Sequence, residues 1–304
     1  MRMVYVDTLP ALHAFEAADG LRLAVETRRP QGRPTLLFAH GFGQTRGAWN
    51  GAAATLAAQG YRCVSFDSRG HGESGRVPGG DYHLEQFADD LLRLARAQPE
   101  PPILVGASMG GLLGLVVAGE VRPSPFRALV LVDITPRWES AGVERILAFM
   151  QAHPDGFADY AEAAGQIAAY LPQRRERKRE DQLRPLLREG ADGRLRWHWD
   201  PAMLAGVAHE SERHQPRLLA AAAQVEEPVL LLSGERSDVV SHATVNEFLA
   251  LVPHARHVEV PGATHMLAGD ANDAFTREIA RFLASLESGG VEADAAAMQT
   301  ATRC

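Results

Sequence analysis

Short apolar runs recur along this chain with helix-length segments between them, and that alternation limits the fold more than any other feature. The runs are residues 35–39 (TLLFA), 61–66 (YRCVSF), 103–107 (ILVGA), 127–133 (RALVLVD), 228–232 (PVLLL) and 257–260 (HVEV). Most are too short for a helix and apolar on both faces, so they predict strands covered from both sides. Between them, helices are predicted over 49–59, 84–97, 243–251 and 270–286. The second carries Leu84, Phe87, Leu91, Leu92 and Leu94 along one stripe. Strands alternating with helices in this way predict an α/β domain with a mainly parallel sheet and helices on both faces. Residues 12–15 and 21–26 precede it as a β-hairpin.

The rhythm breaks between 135 and 225, where no buried strand is evident. This segment is expected to be a helical cap inserted over the strand ends, leaving 1–134 and 226–287 as the core. It contains a charge run, Arg174 to Asp181, read as a solvated face, and an aromatic, basic stretch, RWHWD, at 196–200. The alanine-rich residues 288–304 are expected to form a disordered tail.

At 106–111 the chain reads GASMGG, directly after the run 103–107 and before a long glycine-laced apolar segment. A strand, a sharp turn and a helix follow from this, with Ser108 at the tip. Such an elbow lifts the hydroxyl clear of the sheet edge and aims the N–H groups of the helix start at any oxyanion formed there. Glycines on either side allow strand and helix backbones to approach closely.

A serine hydroxyl is a weak nucleophile near neutral pH and needs a base, usually a histidine held by a carboxylate. His265 is the candidate base, because PGATHM is a loop between the last strand and the last helix. For the acid, Asp238 in the loop SGERSD is favoured, Asp133 at the end of 127–133 is the alternative, and Glu235 is a poorer third. Backbone N–H groups of Phe42, in the turn HGFG, and of Met109 are the candidate oxyanion donors. Trp138, Tyr160, Tyr170, Trp197 and Trp199 are candidate walls of a substrate site.

Other chemistries lack their signatures. There is no P-loop and no dinucleotide-binding glycine pattern, and His40 and His71 belong to turns without metal-ligand spacing. No cofactor and no metal are therefore expected. With 304 residues, 46% apolar content and a net charge of -7, neither nucleic acid nor an anionic membrane is an implied partner. No secretory signal or spanning segment is evident, so a cytoplasmic protein, monomeric or homodimeric and acting on a small molecule, is expected. Cys63 lies in a strand and Cys304 ends the chain, so no disulfide is suggested.

Taken together, HGFG, FDSRGHGES, GASMGG, Asp238 and His265 resemble the α/β-hydrolase superfamily over about residues 12–286, in the family's order of nucleophile, acid and histidine. The resemblance implies an α/β-hydrolase fold with a cap, Ser108 as nucleophile, Asp238 as acid and His265 as base. It also implies that Asp67, Arg69 and Ser74 belong to a structural turn. Epoxide hydrolases and haloalkane dehalogenases are similar but carry aspartate at the elbow tip. C–C bond hydrolases share the S-M-G elbow but commonly place tryptophan where this chain has Met266. The resemblance thus favours a serine esterase, lactonase or thioesterase acting through an acyl-enzyme. A cofactor-free perhydrolase or haloperoxidase, a C–C bond hydrolase and a ligand receptor on the same scaffold are the alternatives.

Overall fold

The computed structural model describes residues 9–28, 34–170, 179–265 and 272–301. Most of the charge run, together with Met266 and Asp270, lies outside them. The main sheet has eight strands in the order β1-β2-β4-β3-β5-β6-β9-β10. These are β1 (Ala11–Glu16), β2 (Arg22–Arg28), β3 (Thr35–Ala39), β4 (Arg62–Phe66), β5 (Ile103–Ala107), β6 (Ala128–Val132), β9 (Val229–Gly234) and β10 (Arg256–Val260). From β4 to β10 every pairing is parallel, whereas β1 and β2 form the predicted hairpin and join β4 antiparallel.

Alternate residues of each strand feed opposite layers, as strand pleating requires. Leu36, Phe38, Ile103, Val105, Val130 and Leu232 pack with Trp49 and Leu56 of the segment around α1 (Asn50–Ala58) and with Phe275 and Ile279 of α9 (Asn272–Ala301). Leu37, Leu104, Leu129 and Leu231 face the other way, against α2 (Leu84–Arg96), α3 (Met109–Glu120) and α8 (His242–Leu251). Each layer excludes water from one side of the sheet, so the two-faced apolarity of the strands is accounted for.

The insertion between β6 and β9 holds α4 (Ser140–Gln151), α5 (Tyr160–Tyr170), α6 (Glu180–Leu183), a ribbon of β7 (Leu187–Glu189) and β8 (Leu195–Trp197), and α7 (Ala202–Ala222). The ribbon adds two short strands to an insertion expected to be helical. Its strands are three residues each and joined by a turn with Gly193 at φ 74°, so they carry turn chemistry but no apolar run. On α3, a side-chain carbon at Gly119 would lie 2.1 Å from the carbonyl oxygen of Ala221, so α7 rests directly on the core. The final helix continues to Ala301, through much of the stretch expected to be disordered. Alanine is the strongest helix former, which gives that stretch a physical reason to stay helical. Among the described residues no helix is long and apolar enough to cross a membrane.

Candidate active site

The elbow forms where β5 meets α3. Ser108 has φ 46° and ψ -116°, an uncommon conformation for a non-glycine residue, and its N–H donates to the carbonyl of Val132 at 3.0 Å. The neighbouring glycines are sterically required. A side-chain carbon at Gly106 would lie 2.6 Å from the Gly110 carbonyl oxygen, and one at Gly110 would lie 2.3 Å from that of Ala39. Met109 is the first residue of α3, so its N–H is one of the four that a helix start leaves without an intrahelical acceptor.

Asp133 follows β6, adjacent in the sheet to both β5 and β9. Its side chain is fully buried, and its Oδ2 lies 2.8 Å from His265 Nδ1. Oδ2 also accepts from the Ser237 hydroxyl at 2.6 Å, and Oδ1 accepts from the Gly234 N–H at 2.8 Å. This corrects the preference for Asp238. Asp238 instead pairs with Arg145 on α4, toward the cap. The reason lies in the loop after β9: Gly234 and Ser237 turn inward onto Asp133, and the chain has swung outward one residue later. Ser237, which sequence reasoning passed over, is the only hydroxyl on this carboxylate among the described residues. Its position one residue before Asp238 was the available signal.

The turn after β3 passes over the elbow. A side-chain carbon at Gly41 would lie 3.2 Å from Ser108 Cβ. His40 Nδ1–H donates to the Gly41 carbonyl at 2.8 Å while its Nε2 accepts from Ser68 N–H. Among the described residues the Phe42 N–H has no acceptor. Gly43 N–H donates to His71 Nε2 at 3.0 Å. His198, from the RWHWD stretch, accepts from Gly72 N–H at Nδ1 (2.9 Å) and donates from Nε2 to the Gly43 carbonyl at 3.2 Å. Burial, reinforced by neighbouring imidazoles, drives the His71 pKa well below its usual value and His198 to about 3. Burial also lowers His40, against the opposing field of Asp67. All three rings are therefore neutral, which lets each accept one hydrogen bond and donate another.

Ser108 and His265 stand on the walls of two adjoining cavities, which the side chains of Phe42 and Ile146 also border. The smaller, of about 200 Å³, is lined almost wholly by apolar side chains, among them Leu112, Trp138, Val143 and Leu218. The larger, of about 450 Å³, mixes Trp197, Trp199 and Phe149 with Gln44, Asn50, Arg145, Tyr170 and Asp238. Trp138, Trp197, Trp199 and Tyr170 thus reach cavity walls, whereas Tyr160 packs within the cap beneath the Arg184 guanidinium.

The turn after β4 is structural. Arg69 forms a forked ion pair with Asp90 at 2.7 and 2.8 Å and reaches Asp19 at 2.9 Å. Asp67 accepts from the N–H groups of Arg46 and Glu73, and the Ser74 hydroxyl donates to its carbonyl. Among the described residues no group of three or more histidine, cysteine or acidic side chains could hold a metal ion.

A mainly parallel sheet bearing a strained serine elbow, with a buried aspartate after the neighbouring strand and a histidine after the last one, has the architecture of a hydrolase. The chain belongs to the α/β-hydrolase family, whose model, described as the alpha/beta hydrolase fold, matches residues 34–271. It is 30% identical over 254 residues to a 3-hydroxybutyrate-oligomer hydrolase of Cupriavidus necator, covering 78% of this chain and 84% of that one. It is 28% identical over 266 residues to a 2-(acetamidomethylene)succinate hydrolase of Mesorhizobium japonicum, covering 86% and 92%. A crystal structure of E-2-(acetamidomethylene)succinate hydrolase superposes with a TM-score of 0.75 at 24% identity, over 90% of this chain and 99% of that one. The protein is an α/β-fold hydrolase.

Proposed function

We propose that the protein cleaves a carboxylic ester, lactone or thioester of a small, largely apolar acid through an acyl-enzyme on Ser108. The observation that carries this reading is the hydrogen bond from His265 Nδ1 to the buried Asp133, with His265 and the strained Ser108 both on the walls of the two cavities. An acceptor on Nδ1 leaves Nε2 unprotonated, and so able to take the Ser108 proton as Oγ attacks the carbonyl carbon. The oxyanion is received by the N–H groups of Phe42 and Met109. His265 then returns the proton to the departing oxygen or sulfur, and water repeats the sequence to free the acid. The apolar cavity suits the acyl chain, and the larger, polar one suits the leaving group.

Kinship with a hydrolase of 3-hydroxybutyrate oligomers is consistent with a short-chain acyl ester. The test pairs fluorophosphonate labelling of Ser108 with a panel of p-nitrophenyl esters, lactones and thioesters of graded acyl length. Ser108→Ala is expected to abolish labelling and lower turnover by about 10³-fold or more while the protein stays folded. Equal turnover by that variant rejects the reading.

A further inference from the structure

The imidazole of His198 comes from the insertion, yet its hydrogen bonds are both to backbone of the core. One of them begins a continuous chain. His198 Nε2–H donates to the carbonyl of Gly43 at 3.2 Å. In the same peptide unit, the N–H of Gln44 donates to the carbonyl of Gly41 at 3.0 Å. The peptide unit of that second carbonyl ends in the N–H of Phe42. In a trans peptide, C=O and N–H point in opposite directions, so a donor that fixes the Gly41 carbonyl also fixes the direction of the Phe42 N–H. The chain therefore runs from the insertion, through two amide units, to the N–H that is offered to the oxyanion.

Hydrogen bonds in series polarise one another, each amide becoming a better donor when its carbonyl is occupied. A neutral imidazole is suited to head this chain. Its Nδ1 is occupied by the Gly72 N–H, which fixes the tautomer so that Nε2 carries the hydrogen. The neighbouring turn leaves little slack. Gly43 has φ 74°, and a side-chain carbon there would lie 2.8 Å from Met150 Cε and 3.4 Å from the Trp199 ring, so the insertion closes directly on it. The last residue of the stretch, Asp200, is tied down independently by its N–H to the Gly70 carbonyl at 2.8 Å and by the Tyr82 hydroxyl on its carboxylate at 2.8 Å.

We infer that His198 is a positioning residue for oxyanion stabilisation: His40 holds the Gly41 carbonyl from within the core at 2.8 Å, and His198, acting through Gly43 and Gln44 on the same carbonyl, adds the contribution of the seated insertion to the setting of the Phe42 N–H. The inference rests on Ser108 reacting through a tetrahedral oxyanion. It assigns to the RWHWD stretch a role in turnover that is separate from lining the cavity.

The test compares three variants. His198→Phe keeps the ring volume and removes both hydrogen bonds. His198→Asn keeps an acceptor near the Nδ1 position for Gly72 and removes the donor to Gly43. His198→Gln returns a donor at the longer reach. With p-nitrophenyl butyrate, the Phe and Asn variants are expected to lose about tenfold in kcat, less than the loss of an entire oxyanion donor, with KM within about twofold. The Gln variant is expected to recover to within about threefold of the parent protein.

Affinity for an aryl trifluoromethyl ketone, which forms an oxyanion on Ser108, should fall in parallel with kcat, while fluorophosphonate-competent protein stays quantitative. Unchanged kcat and ketone affinity in the Asn variant would overturn the inference, as would a loss confined to KM. If the Phe variant does not fold, the Asn variant decides, because Gly72 keeps its partner there. Failure of the parent protein itself to label or turn over rejects the acyl-enzyme reading and is thereby told apart from failure of this one.

Discussion

Replacing Asp133 with asparagine tests the acid assignment most sharply, because the structure dictates how the amide must sit. Oδ1 accepts from the Gly234 N–H, so the amide oxygen is held on that side. The amide nitrogen then faces His265 Nδ1 and the Ser237 hydroxyl, both of which donate to Oδ2 in the parent protein. Ser237 can adjust, since its hydroxyl already accepts N–H groups from Val239 and Val240. His265 adjusts by giving up its Nδ1 hydrogen and carrying it on Nε2 instead. That tautomer offers Ser108 a donor where it needs an acceptor. A serine site frozen in the wrong tautomer loses about 10⁴-fold in kcat, equivalent to about 5 kcal/mol of barrier. The assay is steady-state hydrolysis of p-nitrophenyl butyrate by Asp133→Asn, with circular dichroism as the folding check. A folded variant within tenfold of the parent would refute both the acid assignment and the tautomer argument.

The converse substitution, Asp238→Asn, is expected to leave kcat within about threefold of the parent, because a partly exposed ion pair contributes little and the side chain is bonded to Arg145 rather than to His265. A loss of a hundredfold or more would return Asp238 to the role of acid. Acid should also weaken the fold. His71 and His198 stay neutral when folded but take up protons near pH 6.5 when unfolded, so the unfolded state binds more protons and stability falls as pH drops below 6.5. Between pH 7.5 and 5.0 His198 costs about 2 kcal/mol, and His71 and His40 act in the same direction. Urea titrations at the two pH values measure the difference, and His198→Gln should reduce it by about 2 kcal/mol. An identical pH dependence in parent and variant would show that His198 is not the neutral, buried group described.

Much of this molecule was legible in the sequence because its central strands are apolar on both faces. The run 103–107 and the elbow after it coincide with β5 and the start of α3. Turns that carry the chemistry were harder to read. Asp133 and Asp238 both end or follow a sheet strand, and both are within a loop's reach of His265. Which one turns inward depends on Ser237 and Gly234, whose hydrogen bonds form only when β6 and β9 lie side by side. The ribbon β7–β8 escaped for a related reason, since its stability comes from packing within the insertion rather than from an apolar pattern of its own. RWHWD announced aromatic packing but gave no sign that its histidine reaches Gly43, a residue 155 positions away.

Among the described residues, only two non-glycine positions have positive φ, Ser108 at 46° and Asp133 at 49°. They stand one strand apart at the same edge of the sheet, and both belong to the proposed machinery. Backbone strain of this kind costs on the order of 1–3 kcal/mol per residue, against a net stability of roughly 5–15 kcal/mol for a typical domain. A sizeable part of the margin is therefore tied up in holding one side chain against the cavities and the other against His265. This makes the enzyme less tolerant of mutation than its buried core would suggest: substitutions far from the elbow that remove a kilocalorie or two draw on a reserve the site has already reduced. In directed evolution, stabilising the layers on either side of β5 and β6 before altering the cavity walls would widen the range of substitutions the chain can accept.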